Sequence, residues 1–395
     1  LKFPVDNQTD DSPVTRTEFA SSSQAFILCR FRDGKGVDFG TEKLSYAQIV
    51  ALAGDYFGVP EKPISESSQE SERQIRFKEH FNQLAKNENL ASLVSWIFWI
   101  AKWIPDRLNA QTIAYTKLLG KSYSQLLATN FDHFAPFSWD AYQAGHQLAL
   151  ELAIDARNQY DKNKSGGRAL LAAAYLVDGY ASHFLSDSFS SGHLRVPRAS
   201  MAKIGGLILG GMSVNDMHEA DGEDGLIVCT PGNEQWFARG DGHLEGVNRN
   251  CVIAALQQSV EDIFEAFKER KKPLDRVSAL VPSKVLAAGE TGRNPDSDRS
   301  LKQTFPRFKF GDGASVVTQK DPSPYPQNPR TAYTDTFDKK KAEDLAGLGR
   351  RAGASVIYSD FDTADLSRVP QMDLEKEQRC LTANKIREDG PVHRF

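Results

Sequence analysis

Residues 168–190 constrain the fold of this chain more than any other segment. Apolar residues recur there every three or four positions, which predicts a long helix. His183 and Asp187 are four residues apart in this pattern, so their side chains share one helix face, about one turn apart. Such a pair can bind one zinc ion, although a core histidine bonded to a helix aspartate has the same spacing. His193 follows Gly192, where the helix is expected to end and where a neighbouring ion could be reached.

Helical periodicity dominates the chain before residue 271. It predicts further helices at 44–56, 76–104, 110–128, 139–159 and 246–270, and one later helix at 338–350. A short strand pair is expected within 225–239, around a turn at Pro231-Gly232. The predicted fold is mainly α: a helical bundle around a polynuclear zinc site, with few short strands and a loop-rich C-terminal insertion.

Composition divides the chain into three expected parts. Residues 1–40 begin with a polar stretch and are interpreted as an N-terminal arm. Residues 41–285 form the helical domain, in which 61–75 is a polar linker. Residues 286–395 are interpreted as a loop-rich region packed on that domain, because four prolines within 322–329 exclude a regular helix there.

Charge and hydropathy exclude several classes of protein. A net charge of −4 provides no general attraction for nucleic acid, so no stable nucleic acid complex is expected. No run of roughly 18 apolar residues lacks a charge, so no transmembrane helix is expected. The four cysteines form no CxxC pair; they could form disulfides or remain buried thiols. A monomer is expected.

Two more segments place metal-binding residue types together. Asp132, in a predicted loop, and His146, in a predicted helix, could complete a tetrahedral set with His183 and Asp187. Alternatively, Asp132 caps a helix and His146 packs in the core. The adjacent His133 could be a ligand or a surface residue, and we favour a position beside the ligands or a contact with substrate.

A third segment is acidic and contains His218. The histidine is followed by Glu219, Asp221 and Glu223, and a histidine beside carboxylates suits zinc. The other interpretation is an acidic turn, with the neighbouring glycines supplying backbone freedom.

His183, Asp187 and His193 together form the pattern His, three residues, Asp, five residues, His. In this the chain resembles the zinc-dependent phospholipase C and fungal single-strand nuclease superfamily, nearer the bacterial phospholipase C branch. Asp132 and His146, fourteen residues apart, match the upstream pair of that family. The resemblance covers roughly residues 40–270 and implies an all-helical fold with two or three zinc ions.

The resemblance also implies which residues bind each ion. One zinc would be surrounded by Asp132, His146, His183 and Asp187, and Asp187 would bridge to a second ion.

Another zinc would be bound by His193, His218 and an acid four residues further on. That position is Gly222 here, so the acid is Glu219, Asp221 or Glu223, and we assign Asp221 to the metal.

The third site departs from the family, whose classical members use an N-terminal tryptophan and an early histidine. Asp55 is the candidate replacement, and this site could take another divalent ion.

By resemblance, the expected activity is that of a secreted phospholipase C acting at a membrane or micelle surface. A metal-bound hydroxide would attack the glycerol-side phosphodiester of a glycerophospholipid, releasing diacylglycerol and a phosphorylated headgroup. Asp132 and Asp187 would be the catalytic carboxylates, and His133 and Glu219 would contact substrate. The alternatives are a single-strand nuclease or nucleotidase of the same superfamily, and a non-catalytic, metal-stabilised protein that binds lipid or a partner.

One aromatic stripe bears on the substrate. Trp96, Trp99 and Trp103 recur at intervals of three and four residues and therefore share one helix face. This face either packs in the core, the commoner case for such a helix, or lies at a lipid–water interface.

Overall fold

The computed structural model describes part of the 395-residue chain. The described residues are 2–5, 18–21, 25–32, 36–86, 90–103, 131–194, 225–240, 246–286, 291–294, 299–302, 307–309 and 316–318, with individual residues between 114 and 129 and between 196 and 244. This part is mainly helical, with a few short strands, as predicted. No helix in it is both long enough and apolar enough to cross a membrane.

Helices form most of the described chain. They are α1 (Tyr46–Leu52), α2 (Glu70–Leu84), α3 (Leu90–Trp103), α4 (Phe137–Tyr160), α5 (Lys164–Asp187), α6 (Ser191–Leu194) and α7 (Gly246–Glu269). The strands are β1 (Lys2–Val5), β2 (Glu18–Ser21), β3 (Ala25–Phe31), β4 (Val37–Ser45), β5 (Leu226–Cys229), β6 (Gln235–Ala238), β7 (Lys284–Val285), β8 (Thr291–Asn294), β9 (Arg299–Lys302), β10 (Arg307–Lys309) and β11 (Val316–Thr318). Five small antiparallel sheets result: β1–β2, β3–β4, β6–β5–β7, β8–β9 and β10–β11.

The chain divides into two compact units. One comprises residues 1–132, 140–185 and 256–275, and the other comprises 133–139, 186–255 and 276–395. Three of the five boundaries fall within helices α4, α5 and α7. His183 therefore belongs to the first unit and Asp187, one turn later on α5, to the second.

Aromatic rings fill the core of the first unit. Phe77 and Phe81 of α2 pack edge-to-face on Tyr180 of α5. Gly145 of α4 lies so close to this cluster that a Cβ there would be 2.2 Å from the Phe77 ring and 2.7 Å from Ala181. Only glycine permits that approach, which determines where the next residue, His146, is held.

The hairpin of β3 and β4 also belongs to this core. Phe26, Leu28 and Phe31 are buried, although the whole of β3 lies within the expected N-terminal arm. After β4, Ser45 begins α1 with a reciprocal capping box, in which its side chain accepts from the Gln48 amide and the Gln48 side chain accepts from the Ser45 amide.

The second unit contains the three-stranded sheet. Ile227, Cys229 and Leu286 form its buried cluster, against which Phe237 packs. The predicted strand pair within 225–239 is confirmed, since β5 and β6 pair around Pro231-Gly232. Hairpins β8–β9 and β10–β11 lie in the region predicted to be loop-rich, and the predicted helix at 338–350 lies outside the described residues.

The prediction of one helix over 76–104 was wrong. Helix α2 begins at Glu70, within the expected linker, and ends at Leu84, and α3 begins at Leu90. The boundary was missed because LAKNENL contains neither glycine nor proline, the usual markers of a helix end.

Helix α3 buries its aliphatic face and exposes its tryptophans. Leu90, Val94, Ile97 and Ile100 are buried, whereas the exposed fractions of Trp96, Trp99 and Trp103 are 55%, 50% and 63%. The core interpretation of the stripe is therefore wrong. The cysteines within the described residues, Cys29, Cys229 and Cys251, are buried free thiols.

Candidate metal centre

Helix α5 presents His183 from its last turn towards the end of α1. The Nδ1 atom of His183 is 2.7 Å from the carbonyl oxygen of Val50. A carbonyl can only accept, so Nδ1 is the donor and Nε2 is the ring nitrogen that a metal ion could use. Nε2 lies 3.7 Å from a carboxylate oxygen of Asp55, which follows the positive-φ residue Gly54. The Asp55 side chain is 50% exposed, so this ligand pair opens towards solvent.

One turn further along α5, the Asp187 carboxylate accepts a hydrogen bond from the His133 ring. Nδ1 of His133 is 2.7 Å from Oδ2 of Asp187, and the other carboxylate oxygen lies 3.8 Å from Nδ1 of His193. His193 in turn donates from Nδ1 to the carbonyl oxygen of His133 at 2.8 Å, and the Ala135 amide donates to the carbonyl oxygen of His193 at 2.9 Å. These reciprocal bonds fix the two histidine segments against each other.

His218 joins this second-unit cluster through ring contacts. Its ring centroid is 4.9 Å from that of His193, and Phe134 stacks on His193 at 4.8 Å. A Cβ on Gly192 would be 2.7 Å from the His218 ring. The glycine that precedes the last histidine of the motif is therefore needed for His218 to lie beside it.

Asp55, His133 and His183 form a group that could hold a metal ion. Each offers one ligand atom, and these atoms all lie within 4.8 Å of one another. Two buried imidazoles and a carboxylate are typical protein ligands of zinc and of other divalent transition metals.

The structure places Asp132 outside this group. Its carboxylate accepts from the amides of Ile64 and Ser65 at 2.7 and 2.9 Å and also from the Ser65 hydroxyl. These three bonds anchor the 3-10 turn at Ile64–Glu66. Burial lowers the pKa of the nearby His80, which is neutral and donates from Nε2 to the carbonyl oxygen of Lys62. Asp132 thus fixes a loop immediately before His133.

His146 also lies outside the group of three. Its Nδ1 atom is 2.8 Å from Oδ1 of Asp178, a fully buried carboxylate of α5. Asp221 is buried, and its carbonyl oxygen accepts from the Ser191 hydroxyl at 2.7 Å. The predicted substrate contact Glu219 lies outside the described residues.

Three tyrosines pack beside Asp55 and were not anticipated from the sequence. Tyr56 stacks on Tyr123 at 5.9 Å and meets Tyr115 edge-to-face at 5.2 Å. Burial raises the pKa of both Tyr56 and Tyr123, and the negative charge of Asp55 raises it further. These phenols are therefore protonated, and the Tyr56 hydroxyl donates to Tyr115. The one feature of the sequence that could have indicated these tyrosines is that Tyr56 directly follows Asp55.

Asp55→Ala should weaken zinc binding by at least about tenfold, which corresponds to about 1.4 kcal/mol. The side chain is half exposed, so its loss removes a ligand without opening a cavity. Zinc affinity and the number of bound ions would be measured by competition with a chromophoric chelator and by elemental analysis. Asp38→Ala, which removes a comparably exposed carboxylate, is the matched control. Unchanged zinc affinity and stoichiometry would exclude Asp55 as a ligand.

No protein-family model, curated protein or solved structure matches this chain.

Proposed function

We propose that the chain is a zinc-dependent phosphodiester hydrolase of the phospholipase C type. It would cleave the glycerol-side phosphodiester of glycerophospholipids to diacylglycerol and a phosphorylated headgroup, using two or three ions. In this proposal the protein is secreted and acts at a membrane or micelle surface.

The observation that carries the proposal is the common orientation of four buried histidines. His133, His146, His183 and His193 each direct Nδ1 at an oxygen atom, which is a carboxylate for the first two and a backbone carbonyl for the others. In each of them Nδ1 is therefore the donor, and Nε2 is the ring nitrogen left for a metal ion. Metal-binding histidines in proteins are held in this way, with the second ring nitrogen bonded to a carboxylate or carbonyl.

The chain's own groups then have distinct tasks. Asp55, His133 and His183 would hold an ion, and the rings of His193 and His218 contact each other in the second unit. When bound, zinc lowers the pKa of water to about 7 and withdraws charge from a phosphate. Asp187 keeps the proton of His133 on Nδ1.

The exposed face of α3 favours a lipid substrate. Trp96 and Trp99 contact each other edge-to-face at 5.5 Å, and Trp103 is exposed one turn further on. Tryptophan is enriched where a protein meets a membrane interface, because its ring is apolar and its N–H is polar. Helix α3 contains no acidic residue, so it would not repel anionic headgroups.

A nuclease or nucleotidase is the second candidate, supported by the same histidine arrangement. Single-stranded nucleic acid is bound by aromatic platforms beside basic residues, and the chain's charge of −4 provides no general attraction for it. A non-catalytic, metal-stabilised binding protein is the third candidate.

The proposal is tested by assaying the zinc-loaded protein on phosphatidylcholine micelles, a short soluble phosphodiester and single-stranded DNA. Release of phosphorylated headgroup, lost on chelation and restored by zinc, is the expected result. Hydrolysis of DNA alone would favour the nuclease. Zinc and lipid binding without hydrolysis of any substrate would favour the non-catalytic alternative.

Replacing Trp96, Trp99 and Trp103 together by Ser should slow hydrolysis of micellar phospholipid by at least about tenfold. Hydrolysis of the short soluble phosphodiester should change less than about twofold, because apolar rings gain burial energy only where a lipid surface exists. Both rates and the melting temperature would be measured on the same variant.

The matched control replaces three exposed apolar side chains elsewhere, Ile27, Ile75 and Leu274, by Ser. The control should keep both activities. An equal loss of both activities in the tryptophan variant, with a lowered melting temperature, would assign the stripe a structural role and remove this support for lipid.

A further inference from the structure

Positive charge is concentrated in two segments of the first unit. Residues 157–168 include the end of α4 and the beginning of α5, and residues 268–272 include the end of α7. Together the two segments contain eight cationic side chains and two carboxylates, whereas the whole chain has a net charge of −4. The concentration is therefore a local feature that the overall composition does not explain.

Direct contacts hold the two segments side by side. Arg270 forms an ion pair with Asp161. Tyr160 packs edge-to-face on Phe267 at 5.7 Å, and Arg157 lies 5.6 Å above the centre of the Tyr160 ring. Arg270 has a φ of 56°, a left-handed conformation that favours glycine. An arginine at this position has a cost in backbone energy, which its ion pair with the neighbouring segment offsets.

Three lysines beside this contact are not neutralised by an acidic group. The other exposed cations pair with exposed carboxylates, namely Lys268 with Glu269, Arg270 with Asp161 and Lys272 with Glu151. Within the part of the chain that the structure describes, no carboxylate pairs with Lys162, Lys164 or Lys271, which we call the lysine cluster. Lys162 and Lys164 follow Asp161 within three residues, and Lys271 directly follows Arg270, so the cluster lies around that ion pair.

Helix stability does not account for the lysine cluster. Lys164 is the first residue of α5, where the helix dipole disfavours a cation, and the first turn of that helix contains no acidic residue. Like charges that lie close together also repel each other in the folded protein. An anionic partner would offset both costs.

The surroundings of the lysine cluster favour a lipid surface over nucleic acid. The aromatic rings of the two segments, Tyr160 and Phe267, are buried, so they provide no platform on which a base could stack. Lysine ammonium groups are compact charges on flexible stems and suit phosphates that have no fixed arrangement. Basic residues close to an anionic membrane each add to the binding free energy. The same unit also exposes the tryptophans of α3, which are typical of a membrane interface.

We infer that the lysine cluster binds the headgroups of an anionic phospholipid surface. The inference rests on the proposed function at a lipid surface and extends it, because the proposed metal chemistry requires no negatively charged lipid. It specifies that the protein distinguishes membranes by their charge.

The test replaces Lys162, Lys164 and Lys271 together by Gln and measures flotation of the full chain with phospholipid vesicles. A chelator is present, so that no lipid is hydrolysed during the measurement. At low ionic strength, wild type should bind vesicles with about 30% phosphatidylglycerol at least about tenfold more tightly than pure phosphatidylcholine vesicles, and about 0.5 M salt should remove this preference. The triple variant should lose at least about tenfold on the anionic vesicles and change less than about twofold on the neutral ones.

The matched control replaces Lys43, Lys86 and Lys117, exposed lysines elsewhere in the same unit, by Gln. It changes the net charge by the same amount and should keep binding to anionic vesicles within about threefold. Melting temperatures verify that both variants fold. A loss of equal size in the control would show that net charge, and not the lysine cluster, determines binding.

Three further outcomes would overturn the inference. They are a wild type that does not prefer phosphatidylglycerol, a folded triple variant with unchanged binding, and a wild type that binds duplex DNA more tightly than anionic vesicles through the same lysines. Binding to anionic vesicles in a protein that hydrolyses no phospholipid would contradict the proposed function and support this inference. Hydrolysis without any preference for phosphatidylglycerol would contradict this inference alone.

Discussion

His183→Ala is expected to abolish zinc binding at the centre and to lower turnover by at least about 1,000-fold, or about 4 kcal/mol in the activation barrier. His183 is one of the two imidazoles in the group with Asp55 and His133, and its Nε2 atom lies 3.7 Å from a carboxylate oxygen of Asp55. Bound zinc, turnover of a short soluble phosphodiester and the melting temperature would be measured together.

His183→Gln separates loss of the metal ligand from loss of the hydrogen bond to Val50. The glutamine amide can still donate to the Val50 carbonyl oxygen, as Nδ1 does in the wild type. It should match the alanine variant in turnover while recovering part of any loss in melting temperature. Turnover within about tenfold of wild type in a folded His183→Ala variant would show that the group does not support the reaction.

Asp187→Asn is expected to lower turnover by about 100-fold or more, or at least about 2.7 kcal/mol in the barrier, while lipid binding changes little. The carboxylate accepts from Nδ1 of His133 and lies one turn from His183 on the same helix. Replacing it by a neutral amide removes the negative charge and allows His133 to adopt its other tautomer. Turnover on a soluble substrate and binding to phospholipid vesicles separate the two effects.

Asp155→Asn, an exposed carboxylate on α4, is the control and should retain full turnover. A loss smaller than about tenfold in Asp187→Asn (about 1.4 kcal/mol) would mean that Asp187 is a structural helix residue. A large loss accompanied by the release of an ion would instead identify it as a bridging ligand, as the family resemblance implies.

The long helices were predictable because their apolar periodicity is unbroken. Helix α5 spans Lys164–Asp187 against an expected 168–190, and α4 spans Phe137–Tyr160 against 139–159. The β3–β4 hairpin was not predicted, because a polar N-terminal stretch dominates its neighbourhood and a β-bulge between Ile27 and Cys29 interrupts the alternation.

Two members of the group of three, Asp55 and His183, had been assigned to metal sites from the sequence, His183 by the motif spacing and Asp55 as a replacement for an absent family ligand. Asp187 and His193, the other residues of the motif, lie in the histidine cluster of the second unit. His133 was expected only beside the ligands, because Asp132 next to it matched the family spacing, and the fold uses Asp132 to anchor a distant turn.

The hydrogen bond between His183 and Val50 would couple the end of helix α1 to the binding of an ion. The last carbonyl groups of a helix have no partner within it, and at the end of α1 the Val50 carbonyl accepts from His183, a member of the group that could hold a metal ion. An ion bound by this group would link two equilibria thermodynamically: local opening of the α1 terminus and release of the ion. Occupancy of the site would then set the local stability of this segment.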